Sequence, residues 1–383
     1  MKTIFWILLF LIIYCYFGYP LILSGMAQWR AKPVRKSAFE PTVSIVLSLH
    51  NEEDVIEGKI KNFLALDYPP DRIEILIGSD GSTDQTNDIV KRFMNSRIHL
   101  FERDQRMGKS ITINDLVQKA KNEIIVFTDA RQIFAKDAVR QLVNNFADST
   151  IGCVSGELIF FKKEGGTAQG INLYWKYEKL IRKNESQIHS MLGATGAIYA
   201  IRRELFTQVP ERVVLDDMYI PLKVIQRAYR AIFDEEAKAY DQVADSPREE
   251  HRRKARTLYG NYQIFFLFSG MFIPLKSPIA IQLFSHKFLR VVIPFFLIVI
   301  FFINWALKDE PIFAKFFFLQ IFFYLMAMLG ALARNQKYGI LRLVSKVCFV
   351  PYVFCLLNFS ALIGFLRFLG AKQEITWEKA RGK

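Results

Sequence analysis

Ile124-Ile125-Val126-Phe127-Thr128-Asp129-Ala130-Arg131 is the stretch whose reading decides the fold. A short apolar, β-branched run ends in a carboxylate, a small residue and a cation. Residues of these types favour strands, and a run this short reads as one buried strand. In an α/β domain ligands bind outside the carboxyl ends of the strands. An acid at Asp129 is therefore placed to reach a ribose hydroxyl or a metal.

The same pattern recurs on both sides. Val43–Leu49 reads as a strand, followed by Asn51-Glu52-Glu53 and a helical pattern with Val55, Ile60, Phe63 and Leu64 apolar. Residues 73–77 form a second strand, ending in Gly78-Ser79-Asp80-Gly81-Ser82-Thr83-Asp84, where Ser82 or Thr83 is expected to cap the next helix. A short strand near 98–101 precedes Gly108-Lys109, which opens a helix with Ile113, Leu116, Val117 and Ala120 inward. After Asp129 comes a helix carrying Val139, Leu142, Val143 and Phe146. Strands alternating with helices predict parallel βαβ units covered on both faces. Residues 151–160 and 197–201 read as further strands, and a helix begins near Asp216. The predicted α/β domain spans 40–256.

The flanks differ. The chain has 383 residues, is 51% hydrophobic and carries a net charge of +14. Residues 3–23 hold no charge and are long enough to cross a bilayer. They exceed a signal-peptide core and lack a small-residue cleavage site, so residues 1–28 read as a retained transmembrane helix. Arg30, Lys32, Arg35 and Lys36 follow it, against Lys2 in front, and the positive-inside rule puts residue 30 onward in the cytosol. Residues 257–287 read as an interfacial segment, because 262–275 is apolar but short and broken by Gly270. Residues 288–370 hold three spans, at 288–307, 312–333 and 347–369, followed by a basic tail at 371–383. Arg334, Lys337, Arg342 and Lys346 mark a cytosolic loop. Much of the basic charge lies beside these spans, so membrane lipid explains it and nucleic acid is not expected as a partner. Cys15, Cys153, Cys348 and Cys355 lack metal-ligand spacing and read as reduced packing residues.

Four features fall at strand ends on one edge: Asn51-Glu52, Asp80, Lys109 at a helix N-terminus that can face phosphate, and Asp129. Acids beside cations suit a nucleoside diphosphate. Carboxylates accept from base and ribose, while cations and any bound metal neutralise a leaving diphosphate. A sugar-phosphate nucleotidyltransferase would need a Gly-rich, Arg-containing loop after the first strand, where Asn51-Glu52-Glu53 stands.

The motifs Ser44 through Glu53, Gly78 through Asp84, Gly108-Lys109 through Asn114, Phe127 through Arg131, Ala194-Thr195-Gly196-Ala197 and Leu215-Asp216-Asp217 resemble, in order and spacing, family 2 of the inverting glycosyltransferases. That family has the GT-A fold, a Rossmann-like mixed sheet, and commonly carries membrane flanks. The resemblance covers about 40–260. It implies that His50 and Glu52 line the nucleotide pocket, that Asp80 binds the base, usually uracil, and that Lys109 lies near the nucleotide. Asp129 stands first in the family's Asp-x-Asp motif, which contacts ribose and a Mg²⁺- or Mn²⁺-bound diphosphate. Asp217 takes the place of the general base, beside Asp216. Thr195 and Gly196 stand by the diphosphate or the acceptor.

Two positions depart from the family pattern. Arg131 replaces the last Asp of Asp-x-Asp and cannot ligate a cation. Either Asp129 holds the metal with phosphate and water, or Arg131 partly replaces it. Processive members carry Gln-x-x-Arg-Trp near the membrane. Here Arg253-Lys254-Ala255-Arg256-Thr257 keeps Arg256, has Arg253 for Gln and lacks the Trp. Arg253 and Arg256 are expected to clamp the diphosphate.

The resemblance thus implies an integral protein of a bacterial cell membrane with a cytoplasmic catalytic domain. It would move sugar from a nucleotide-sugar donor, a UDP-sugar, to a glycan or lipid-linked acceptor, with polysaccharide-synthesis subunits as possible partners. The alternatives are a polyprenyl-phosphate or membrane-lipid sugar transferase and a nucleotide-sensing or scaffold subunit that has lost catalysis.

Overall fold

The computed structural model describes residues 1–161, 166–242, 247–333 and 347–370. They fall into two compact units.

One unit comprises Trp29–Phe161 and Arg182–Gln242. Its core is an eight-stranded sheet in the order β3-β2-β1-β4-β7-β6-β8-β5. The strands are β1 (Val43–Leu49), β2 (Ile73–Asp80), β3 (Ile98–Arg103), β4 (Ile124–Thr128), β5 (Ile133–Phe134), β6 (Ile151–Phe161), β7 (Tyr199–Arg202) and β8 (Arg230–Gln242). The first four are parallel, as the alternation of strands and helices predicts. The other half is mixed: β7 runs antiparallel to both β4 and β6, and β8 runs parallel to β6.

Register explains why the chemistry gathers on one edge. Val43 lies opposite both Ile73 and Ile124, so β1, β2 and β4 start level and end within a few residues of one another. Asn51, Asp80 and Asp129 leave the sheet on the same side. β1 and β4 are buried throughout, the mark of strands covered on both faces.

Helix α1 (Glu53–Leu64) buries Ile56, Ile60 and Phe63 in an i, i+4, i+7 stripe. Leu64, apolar in the helical pattern, is 38% exposed, and Lys59 takes an inward position. Helix α2 (Thr86–Lys91) is shorter than its pattern, and neither Ser82 nor Thr83 caps it. The Ser82 hydroxyl accepts from the Asn51 N–H at 3.1 Å, and the Thr83 N–H donates to Asn51 Oδ1 at 2.7 Å. The turns after β1 and β2 are thereby stitched together. Asp84 serves the helix start instead, accepting the Thr86 N–H at 3.0 Å. Helix α3 (Lys109–Lys119) follows Gly108, whose φ of 103° a residue with a side chain rarely adopts. Helices α4 (Ala138–Val143) and α5 (Asp216–Gln226) complete the cover, with Val139, Leu142 and Val143 fully buried.

β8 is the strand the sequence conceals, because Asp234-Glu235-Glu236 interrupts its apolar alternation. It pairs with β6 across an irregularity between Ser155 and Glu157, where Gly156 allows close backbone approach. The short β5 pairs with the end of β8, Ile133 opposite Tyr240, which sets the turn after Asp129 beside Asp241.

The other unit holds Met1–Gln28 and most of the later apolar sequence. Four helices among the described residues are long and apolar enough to cross a membrane: Lys2–Trp29, Ala280–Ala306, Pro311–Ala333 and Phe349–Leu369. Phe5 packs on Ile300, Ile303 and Phe313. The expected 256/257 boundary falls inside one helix, Pro247–Leu267, and the 262–275 segment is that helix's end followed by a short 3₁₀ turn, Ser269–Phe272. Within this unit Glu178 is buried against His286, 3.1 Å away, and Arg290. Cys15 and Cys348 here, and Cys153 in the sheet, are free and buried. The basic loop at 334–346 and the tail at 371–383 lie outside the described residues.

A Cβ added at Gly156 would stand 2.4 Å from the Ala237 carbonyl oxygen, a backbone atom of the neighbouring strand. Gly156→Ala is therefore expected to lower stability by about 1–3 kcal/mol, read as a lower Tm. An unchanged Tm would mean that the β6–β8 pairing tolerates separation there.

Candidate active site

Three elements bring a cation and three acids together. β4 delivers Asp129 at its carboxyl end, α3 begins with Lys109, and α5 begins with Asp216 and Asp217. The Lys109 ammonium donates to Asp129 Oδ1 at 2.9 Å and lies 3.3 Å from Asp216 Oδ2. Acids in the first turn of α5 also favour the positive end of that helix. Burial works against the Lys109 charge, but Asp129, Asp216 and Asp217 outweigh it and raise its pKa, so the side chain stays protonated.

Asp217 is the perturbed acid of the group. Burial, and then the charge of Asp216, push it up to about 6, with Lys109 pulling the other way. A carboxylate poised there suits proton abstraction near neutrality. Its backbone carbonyl accepts the Ala194 N–H at 2.8 Å. A Cβ on Gly196 would lie only 3.2 Å from Asp217 Oδ2, so the glycine lets the 194–197 loop approach the acid. The Thr195 hydroxyl accepts from Arg182 at 2.6 Å, and the Thr195 N–H donates to Ser155 Oγ at 2.9 Å. Thr195 and Gly196 therefore border Asp217.

Asp80, His50 and Glu52 hold the framework. The Asp80 carboxylate, 3% exposed, accepts the backbone N–H groups of Met107 at 2.7 Å and Gly108 at 2.8 Å. It fixes the turn that launches Lys109. His50 Nδ1 lies 2.8 Å from the Asp80 carbonyl oxygen. Glu52 is buried, and its N–H donates to Thr86 Oγ1 at 2.7 Å.

Arg131 does not turn toward Asp129's partners. Its guanidinium donates to Asp241 Oδ2 at 3.0 Å, and the Gln132 amide donates to the same oxygen at 2.7 Å. The Asp241 side chain is 5% exposed and that of Arg131 32%. The cation standing where an acid was expected is thus balanced by an acid on β8. Among the described residues no group of three or more His, Cys, Asp or Glu side chains is placed to hold a metal. Asp129 fits a divalent cation as a single carboxylate ligand, the remaining positions falling to phosphate oxygens and water.

Lys59 lies behind the Asp129 turn, fully buried, and donates to Thr128 Oγ1 and to the Gln132 carbonyl. Burial pushes its pKa down to about 7, against the pull of Asp129 and Asp241. Asp241, Gln132, Arg182 and Lys59 escape the reading of the sequence. A signal existed for two of them. Lys59 is the charged residue inside the Ile56, Ile60, Phe63 stripe, and Asp241 continues the alternation of Ala237 and Ala239. Arg256 lies on helix Pro247–Leu267, in the other unit. The Arg253 side chain lies outside the described residues.

Residues 44–209 match the model of the family described as glycosyl transferase family 2. A probable glycosyltransferase of Bacillus subtilis (strain 168), YdaM, is 25% identical over 247 residues, covering 62% of this chain and 59% of that protein. A poly-beta-1,6-N-acetyl-D-glucosamine synthase of Staphylococcus aureus (strain MSSA476) is 23% identical over 254 residues, covering 64% of this chain and 60% of its own length. The chain thus spans 59–60% of these curated relatives. In structure it resembles a mannosyltransferase from Pyrobaculum calidifontis, solved with GDP-Man and Mn²⁺, at a TM-score of 0.71 and 23% identity, covering 97% of this chain and 100% of that one. The fold is GT-A.

The Asp217 pKa makes a prediction about stability. In the unfolded chain an Asp titrates near about 3.9; in the folded site Asp217 titrates at about 6. Between those values the native state holds a proton that the unfolded state has released, so this group's contribution to stability falls as pH rises through the window. Asp217→Asn, which cannot ionise, is expected to exceed the wild type in Tm above pH 6, with the excess vanishing below about pH 4. A difference in Tm that does not depend on pH would refute the perturbed acid.

Proposed function

We propose that the chain, whose residues 44–209 match the glycosyl transferase family 2 model, is a membrane-anchored glycosyltransferase. It transfers a sugar, with inversion, from a UDP-sugar to a polysaccharide or lipid-linked acceptor. The observation that carries this reading is the convergence of Asp129, Asp216 and Lys109, with Asp217 alongside and raised to about 6.

Each residue has a part in this reading. Asp217 accepts the proton of the acceptor hydroxyl as that oxygen attacks the anomeric carbon from the face opposite the leaving group. Gly196 and Thr195 leave the acceptor room beside it. Lys109 and the N-terminus of α3 face the diphosphate. Asp129 would hold Mg²⁺ or Mn²⁺, which would supply positive charge to the diphosphate. Arg131 adds little net positive charge, because Asp241 balances it. Asp80 and His50 line the base end of the pocket, Asp80 with lone pairs left beyond its two backbone contacts. Asp216 keeps Lys109 charged and in place.

The four apolar helices support a membrane anchor, and Arg30, Lys32, Arg35 and Lys36 support, by the positive-inside rule, a catalytic domain on the cytosolic side. Similarity to polysaccharide synthases supports a glycan acceptor. The absent Gln and Trp of the processive motif favours, as a second reading, a single transfer to a polyprenyl phosphate or membrane lipid. A purely nucleotide-sensing subunit would have no use for a perturbed acid at Asp217.

Membranes carrying the protein are expected to release UDP from one member of a UDP-sugar panel, and Asp217→Asn to lower kcat by at least about 100-fold. The wild-type kcat should rise with pH through about 6, where Asp217 ionises, and then level. Wild-type turnover in Asp217→Asn would remove this residue as the base.

EDTA is expected to abolish turnover, and Mn²⁺ or Mg²⁺ to restore it. Full activity in EDTA, lost in Arg131→Ala, would instead make Arg131 the diphosphate's counter-charge.

A further inference from the structure

We propose that Lys59 is a positioning residue that ties the donor turn at 129–131 to the loop at 194–197 bordering the base, and so sets the span across which the sugar moves. The inference rests on the transferase reading above. Lys59 sits inside the apolar stripe of α1 and is 0% exposed. An ammonium is among the costliest groups to remove from water unless its hydrogen bonds are met, and an apolar residue would continue the stripe without that cost. What the lysine provides is reach and direction.

Its two acceptors bracket the Asp129-Ala130-Arg131 turn. Thr128 Oγ1, immediately before the turn, lies 2.9 Å from Nζ, and the Gln132 carbonyl, immediately after it, lies 2.5 Å away. One side chain therefore closes both ends of the turn. The rings of Phe63 and Phe134 cover Nζ, with centroids at 4.9 and 4.5 Å.

The connection continues beyond the turn. A threonine hydroxyl has one proton to give. With Lys59 as its donor, Thr128 Oγ1 directs that proton to the Ala197 carbonyl at 2.8 Å, with the Asp129 carbonyl a longer alternative at 3.2 Å. Ala197 ends the loop in which Gly196 lies against Asp217. On the other side, the Gln132 side chain donates to Asp241, the partner of Arg131. A single buried chain of hydrogen bonds thus joins the two ends of the turn that carries Asp129 to the loop that flanks the base. Lys59 touches neither substrate, so its action runs through these partners.

The test uses the full-length protein in membranes, with donor kinetics and thermal unfolding measured on each variant. Thr128→Val keeps the shape and removes the hydroxyl. It is expected to lower kcat about tenfold or more, as small displacements of reacting groups do, with the donor KM little changed, and Thr128→Ser is expected to recover most of the loss. Lys59→Met should lower kcat by a similar factor, and the double variant should be no worse than the poorer single one, since both cut the same chain. A folded single variant with wild-type kcat, or losses that multiply in the double variant, would overturn the proposal. Should Lys59→Met fail to fold, the comparison of Thr128→Val with Thr128→Ser decides alone. No turnover of any donor by the wild type would overturn the transferase reading itself, and with it any part for Lys59 in catalysis.

Discussion

The ammonium of Lys109 lies 2.9 Å from one carboxylate and 3.3 Å from another, and the remainder of the site is arranged around that cation. Asp129, Asp216 and Asp217 would repel one another if brought together alone. Lys109 lets them share one partly dehydrated edge of the sheet. It keeps its charge because they surround it, against the penalty of burial. The arrangement divides the acids by task. Asp129 and Asp216 are paired with the cation, whereas Asp217, beside them and half-buried, is left able to bind a proton near pH 6.

Lys109 has to be held in place for this to work, and the holding is done by groups that resemble ligand-binding ones. Asp80 spends its carboxylate on the two N–H groups just before α3. Asn51 binds the turn after β2 through both its N–H and its side chain. These contacts join the loops from β1, β2 and α3. A preorganised edge of this kind loses little conformational freedom on binding. The same residues can therefore serve both the framework and the ligand, and pairing within the framework does not argue against the second use.

Charge around the Asp129 turn is balanced on a second level. Arg131 is matched by Asp241 from β8, and Lys59 enters from beneath with its donors directed to backbone and hydroxyl oxygens. The pairing depends on the mixed half of the sheet. Only because β5 pairs with the end of β8 does residue 241 lie beside residue 131. In the apolar unit a comparable requirement is met by Glu178, which is buried with His286 and Arg290, since an unpaired charge among apolar helices would be costly.

The sequence by itself determined the parallel half of the sheet, the four apolar helices and the acids at the strand ends. These are local properties. β-branched runs, helical periodicity and uncharged spans are written in neighbouring residues, and parallel strands carry their functional residues at their carboxyl ends. The position of Asp129 was legible for that reason, whereas Lys109, Asp216 and Asp217 stand at helix starts and the two acids were singled out by the family resemblance. Asp84, rather than Ser82 or Thr83, meets the first N–H of α2, while Ser82 and Thr83 bond a residue some thirty positions earlier in the chain. β8 was hidden by three consecutive acids that stand at an irregularity in its pairing. Only the tertiary structure decided that Arg131 is neutralised by Asp241, 110 residues away, and that Lys59 is turned inward onto the turn at 129–131. Both depend on which strands lie side by side, and a partner that distant leaves no periodic trace in the sequence around either residue.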